Sequence, residues 1–119
     1  MKGAILVVDD EPGIRFVYEE YLGDLGFEVH AVGDGVSALR EAEACRPVLA
    51  LVDMNLPDMG GLEVIRRLRE THSGMAVVVI SANPPERHLA ELASLRVDGA
   101  LEKPVELEQL GEVARRFAA

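Results

Sequence analysis

The chain has 119 residues, a formal net charge of −9, 49 % apolar and 4 % aromatic residues, and one cysteine, Cys45. That length fits one domain spanning residues 1–119, with a core that needs no disulfide or structural metal. The acidic balance disfavours a phosphate backbone as partner, and no apolar run approaches the roughly 18 residues that cross a bilayer, so we expect a cytoplasmic protein that contacts neither nucleic acid nor membrane.

Short apolar runs alternate with amphipathic stretches along the chain. The first run is Ala4 to Val8. Ile14, Val17, Tyr21, Leu22 and Leu25 then recur at helical spacing, with Pro12 suited to the first turn and Gly26 to the stop. Phe27 to Val32 forms a second strand-length run, before a short helix marked by Ala38, Leu39 and Ala42. Val48 to Val52 is the third run, and Leu62, Val64, Ile65 and Leu68 mark the helix after it. Ala76 to Ile80 is the fourth, with Leu89, Leu92, Ala93 and Leu95 beyond Pro84 and Pro85. Ala100 and Leu101 form a weak fifth run before a helix carrying Leu107, Leu110, Val113, Ala114 and Phe117. Five strand–helix units in series predict an α/β protein with a doubly wound parallel sheet. The first, third and fourth runs lack polar alternation, as strands covered on both faces do.

The polar residues at the ends of these runs carry the chemistry. The first run ends in Asp9 and Asp10, the third in Asp53, the fourth in Ser81 and the fifth in Lys103. In a doubly wound sheet these positions share the ligand-binding edge. Taken singly, a strand-end Asp is usually a helix cap, Ser81 a turn residue and Lys103 a solvated charge. Together they make a site of three carboxylates, one hydroxyl and one ammonium. Clustered carboxylates call for a hard cation such as Mg²⁺. The hydroxyl and ammonium can hold phosphoryl oxygens, and an Asp carboxylate can attack phosphorus to give an acyl phosphate. His30, His72 and His88 are scattered and show no zinc-ligand spacing with Cys45.

The stretches "VVDDEP", "ALVDMNLPDMGGLEVI", "VVVISAN" and "ALEKPVELEQL" resemble the receiver domain of two-component response regulators, and the resemblance covers the whole chain. It implies a flavodoxin-like five-stranded parallel sheet in the order 2-1-3-4-5, enclosed by five helices. It implies that a sensor histidine kinase or a phosphotransfer protein donates a phosphoryl group to Asp53, and that small acyl phosphates can substitute. Asp10, Asp53 and the backbone carbonyl of Asn55 would bind Mg²⁺ directly, with Asp9 acting through water; Mn²⁺ can substitute. Ser81 would be the switch hydroxyl, Lys103 the partner of the phosphoryl group, and the Lys103–Pro104 bond cis. Asn55 and Asn83 fall where the family tunes its dephosphorylation rate. The family often has Tyr or Phe three residues before the Lys, where this chain has Ala100. The signal is therefore expected to travel through the loop after Ser81 and the fourth helix, without a ring flip. The output face would be the fourth helix, fifth strand and fifth helix, meeting a downstream protein or output domain.

Three other readings fit less well. A Mg²⁺-dependent phosphohydrolase usually carries a D-x-D motif after the first strand and a cap domain. "DDEPG" does not match it, and 119 residues leave no room for a cap. A pseudo-receiver would not need Asp9, Asp10, Asp53, Ser81 and Lys103 together. A flavin-binding flavodoxin would need a phosphate loop after the first strand and aromatics to sandwich a ring. The expectation is a switch rather than a metabolic enzyme, with only self-catalysed aspartyl phosphorylation and dephosphorylation, either free-standing or part of a longer regulator.

Overall fold

The computed structural model describes residues 2–82 and 89–119. Strand β1 is Ala4–Val8, β2 Glu28–Val32, β3 Leu49–Asp53, β4 Ala76–Ser81 and β5 Gly99–Glu102; helix α1 is Pro12–Asp24, α2 Gly35–Cys45, α3 Gly61–Thr71, α4 Leu89–Ser94 and α5 Leu107–Ala118. The strands form one sheet in the order β2-β1-β3-β4-β5, with every neighbouring pair parallel. This matches the expected architecture and strand order.

The two faces of the sheet are read off alternate residues of the central strands. Ile5, Val7, Leu49, Leu51, Val78 and Ile80 pack against Tyr18 and Leu22 of α1 and Leu110 and Ala114 of α5. Leu6, Val8, Ala50, Val52, Val77 and Val79 pack against Ala38 and Ala42 of α2, Val64, Ile65 and Leu68 of α3, and Leu92 of α4. Burial on both sides is why the three central strands show continuous apolar runs. With few aromatics, the close packing rests on branched aliphatics, each contributing roughly 1.5–3 kcal/mol when fully buried.

Some boundaries and faces differ from the sequence reading. Val48 stands outside β3 and is exposed, and β3 gains Asp53 at its far end. In α1 the buried residue is Tyr18, whereas Val17 is 45 % exposed. Position 18 lies one turn after Ile14 and one turn before Leu22, so it shares their stripe; position 17 falls beside it. Leu107 is likewise exposed at the start of α5, and so is Ala93 in α4. Gly26 comes after α1 with φ +98°, a conformation that suits a residue without Cβ. Asn83, Pro84 and Pro85 lie outside the described residues.

Two local devices hold the loop after β3 in place. The amide of Gly61 donates to the carbonyl of Met54 at 3.0 Å. A Cβ at Gly61 would come within 2.6 Å of the Asp53 carbonyl oxygen and 2.7 Å of Met54 Cα, so α3 can start this close to β3 only with glycine there. Asp58, in the same loop, reaches across to α2. Its carboxylate accepts from the Gly35 amide at 2.8 Å and the Val36 amide at 3.0 Å. The N-cap Asp34 takes the Ser37 amide at 2.7 Å. Three free N–H groups of the first turn of α2 are thereby satisfied, and negative charge meets the positive end of the helix.

Gly61→Ala is expected to lower stability by about 1–3 kcal/mol, because backbone rather than side chain must yield; a urea titration will show a lower midpoint, and an unchanged midpoint would refute the packing constraint. The amides of Gly35 and Val36 hold the Asp58 carboxyl below its ordinary pKa. A depressed folded pKa gives stability above the unfolded value, about 3.9, that is lost as pH falls through the folded one. Asp58→Ala should therefore melt below the parent at pH 7, with the gap closing under acid; a gap of the same size at both pH values would contradict this assignment.

Candidate functional site

The carboxyl ends of β1, β3, β4 and β5 deliver Asp9, Asp53, Ser81 and Lys103 to one edge of the sheet. The order in which strands are added to the sheet reverses between β1 and β3, and the crevice at such a switch point is where doubly wound sheets bind ligands. Asp9 and Asp53 flank it.

Asp9 is 2 % exposed, and the structure around it accounts for its atoms one by one. Its amide donates to the Val32 carbonyl at 3.1 Å, continuing the ladder of β1 and β2. Its carbonyl accepts from the Arg15 guanidinium of α1 at 2.7 Å. Oδ1 accepts from the Glu11 amide at 2.9 Å, a turn in which an Asp binds the backbone two residues on. Oδ2 lies 3.1 Å from Lys103 Nζ, yet it is buried and receives no properly directed hydrogen bond. It is an oxygen with capacity left for a cation.

Asp53, 3 % exposed, is built the same way. Oδ1 accepts from the Asn55 amide at 2.9 Å, and Oδ2 accepts from Lys103 Nζ at 2.9 Å. The Met54 amide donates to the Ile80 carbonyl at 3.0 Å, which fixes the exit of the chain from β3. Ser81 is buried at the end of β4, and its carbonyl accepts from the Lys103 amide at 2.8 Å. The Lys103–Pro104 peptide is cis. Asp10 is exposed beside these groups. One carboxylate oxygen from each of Asp9, Asp10 and Asp53 lies within 4.8 Å of the others.

The electrostatics of the site are set by this geometry. At an effective dielectric constant near 20, two like charges at 4.8 Å repel by about 3 kcal/mol. Burial alone would lower the pKa of Lys103, but the hydrogen bond to Asp53 and the charge of Asp9 outweigh it and raise the ammonium above its ordinary range. Lys103 therefore stays charged. Three carboxylates and one ammonium still leave a formal charge of −2. Oxygen donors, a buried oxygen without a hydrogen bond and that residual charge fit a hard divalent cation. Tyr18, in the wall of α1, has its pKa raised by burial and then by the charge of Asp9, with Lys103 acting in the opposite sense.

The structure thus gathers Asp9, Asp10, Asp53, Ser81 and Lys103 at one sheet edge. Asn55 stands beside Asp53, contributing its amide, while Asn83 lies outside the described residues. Ala100 is exposed on β5. Sequence reasoning missed Arg15, whose guanidinium also lies where a Cβ on Gly33 would sit, 2.7 Å from Nη1. It missed Asp58 as well, whose partners are 23 and 22 residues away. Neither carries a periodic or strand-end signal.

The comparisons with known proteins agree with this geometry. Residues 5–115 match the response regulator receiver domain family. The chain is 26 % identical over 117 residues to sporulation initiation phosphotransferase F of Bacillus subtilis, covering 98 % of this chain and 94 % of that protein. It is 35 % identical over 107 residues to the probable transcriptional regulatory protein TcrX of Mycobacterium tuberculosis, covering 89 % of this chain and 45 % of that protein. It also matches sensor histidine kinase RcsC of Salmonella typhi at 32 % identity, over only 12 % of that protein. Among solved structures, the Vibrio cholerae chemotaxis protein CheY4 superposes with a TM-score of 0.92 at 27 % identity, covering 98 % of this chain and 99 % of that one. A receiver domain protein from Methanospirillum hungatei gives the same TM-score at 26 % identity, over 98 % and 93 % of the two chains. This chain belongs to the receiver domain family of two-component response regulators.

Proposed function

We propose that this receiver is a phosphorylation switch whose acceptor is Asp53, fed by a sensor histidine kinase or a phosphotransfer protein. The observation that carries the reading is the placement of the Asp53 carboxylate, 2.9 Å from the Lys103 ammonium and within 4.8 Å of the Asp9 and Asp10 carboxylates. A carboxylate oxygen of Asp53 attacks phosphorus, an O–P bond forms, and the P–N bond of a phosphohistidine or the P–O bond of an acyl phosphate breaks, its electron pair leaving with the donor. Asp10, Asp53 and the Asn55 carbonyl would hold Mg²⁺ directly and Asp9 would act on it through water, with Mn²⁺ able to substitute. When bound, the ion would supply charge neutralisation for the incoming phosphoryl group.

The remaining work falls to the chain. Lys103 exchanges its contact with Asp53 Oδ2 for a phosphoryl oxygen. Ser81 donates its hydroxyl to another. Glu11 and Arg15 fix Asp9 through backbone contacts, so its free oxygen stays aimed at the site. By the family's pattern, Asn55 and Asn83 would tune the lifetime of the acyl phosphate. The phosphoryl group brings about −2 charge units and strong acceptors to the ends of β4 and β5, and the response passes through the loop after Ser81 to the face of α4, β5 and α5. With Ala100 exposed, that response is a backbone shift without a rotating ring. Among the described residues no helix is long and apolar enough to cross a membrane, and a switch fed by a sensor histidine kinase is placed in the cytoplasm.

Incubation with acetyl phosphate and Mg²⁺ should add one phosphoryl group by intact mass, and Asp53→Asn should abolish it. Phosphorylation persisting in Asp53→Asn would reject the assignment. Lys103→Met separates two effects. Its loss takes the cluster from a formal charge of −2 to −3, so Mg²⁺ should bind more tightly, while phosphorylation slows by about a hundredfold for want of a cation on the phosphoryl group. A parallel fall in both would show that Lys103 only supports the fold.

A further inference from the structure

A second group of metal-ligating side chains lies away from the acidic site, between β2 and α2. His30 sits in the middle of β2, paired with Leu6 of β1. Leu6 faces α2, and so does His30. Glu41 and Cys45 are one helical turn apart on α2 and project toward the same place. One donor atom each from His30, Glu41 and Cys45 lies within 4.8 Å of the other two, and all three residues are half-buried. We propose that these three side chains bind a borderline transition-metal cation of the Zn²⁺ class, through His30 Nδ1, a Glu41 carboxylate oxygen and the Cys45 sulfur.

The orientation of the imidazole supports this assignment independently of proximity. His30 Nε2 lies 2.6 Å from Glu28 Oε2, and Nδ1 lies 2.9 Å from Glu41 Oε1. Both carboxylates only accept, whereas a neutral imidazole donates from one nitrogen and accepts at the other. The neutral ring thus leaves one acceptor facing another. A second proton resolves the conflict, and the two glutamates do raise the pKa of His30, Glu28 first. A metal ion at Nδ1 resolves it equally. Glu28 then plays the part that carboxylates commonly play behind ligating histidines, holding Nε2–H and aiming the other nitrogen at the metal.

The donor set chooses the cation. Nitrogen, oxygen and sulfur together suit Zn²⁺ or Co²⁺, whereas Mg²⁺ and Ca²⁺ prefer the all-oxygen cluster at the other site. Zn–N and Zn–S bonds of about 2.0 and 2.3 Å bring donors to roughly 3.5 Å apart. Rotation of the Glu41 and Cys45 side chains closes that gap. Burial and the charges of Glu41 and Glu28 keep the Cys45 thiol protonated beyond its ordinary range. Metal uptake therefore releases the thiol proton and the Nδ1 proton, and the cation replaces both charges. Three protein ligands leave a fourth tetrahedral position for solvent or an added group.

Co²⁺ is the probe, because a thiolate-to-cobalt charge-transfer band can arise only from Cys45, the one cysteine of the chain. The full chain is titrated with Co²⁺ in excess Mg²⁺, which keeps the acidic site filled. The expected result is a charge-transfer band with tetrahedral ligand-field absorption, saturating at one equivalent per chain and displaced by Zn²⁺. Cys45→Ser should remove the band, and His30→Gln and Glu41→Gln should each weaken Co²⁺ binding at least about tenfold, with far-ultraviolet circular dichroism checking that each variant is folded. No band overturns the proposal. So does saturation at half an equivalent, which would mean two chains sharing an ion through their thiols. Unchanged affinity in folded His30→Gln and Glu41→Gln overturns it too.

Discussion

The ammonium of Lys103, set between the buried carboxylates of Asp9 and Asp53, is the contact on which the site depends. Two carboxylates at 2–3 % exposure would be costly as an isolated pair. One cation reduces that cost without removing it, and a formal charge of −2 remains once Asp10 is included. The site is thus stable enough to fold and still charged enough to take a divalent cation. Each carboxylate spends one oxygen on a backbone amide two residues ahead. The other oxygen stays directed at Lys103 and the crevice.

The sheet makes this arrangement possible. Parallel strands in the order 2-1-3-4-5 put β1 and β3 side by side and β4 and β5 next in line, so that residues far apart in the chain meet at one edge. Fully buried aliphatic strands hold that edge rigidly. The loops above it are tied down by particular contacts. Arg15 holds the Asp9 carbonyl from α1, Gly61 lets α3 approach Asp53, and Asp58 joins the loop after β3 to the start of α2. The loop that follows Asp53 is therefore tied to α2 as well as to α3.

Much of this was legible in the sequence because the strands are continuous apolar runs and because each ends in a polar residue that would make no sense in isolation. Asp9, Asp53, Ser81 and Lys103 could be assigned to one edge from the strand–helix alternation alone. The face of α1 could not be read as cleanly. Val17 is apolar and near helical spacing, but it lies beside the buried stripe, whose member is the amphipathic Tyr18. Arg15 and Asp58 were invisible because their roles are contacts to backbone groups that only the folded chain brings near. His30, Glu41 and Cys45 escaped for a related reason. Their spacing joins a strand to a helix, with Glu41 standing 11 positions after His30, and matches no local metal motif.

Asp9, Asp10 and Asp53 are proposed to hold a hard divalent cation together, with Asp53 also the proposed phosphoryl acceptor. Crystals grown with Mn²⁺ and measured for anomalous scattering test it most directly. One strong anomalous peak is expected between these three carboxylates, with Lys103 still beside Asp53. A map without a peak there at saturating Mn²⁺, or with its strongest peak on another surface of the chain, would contradict it.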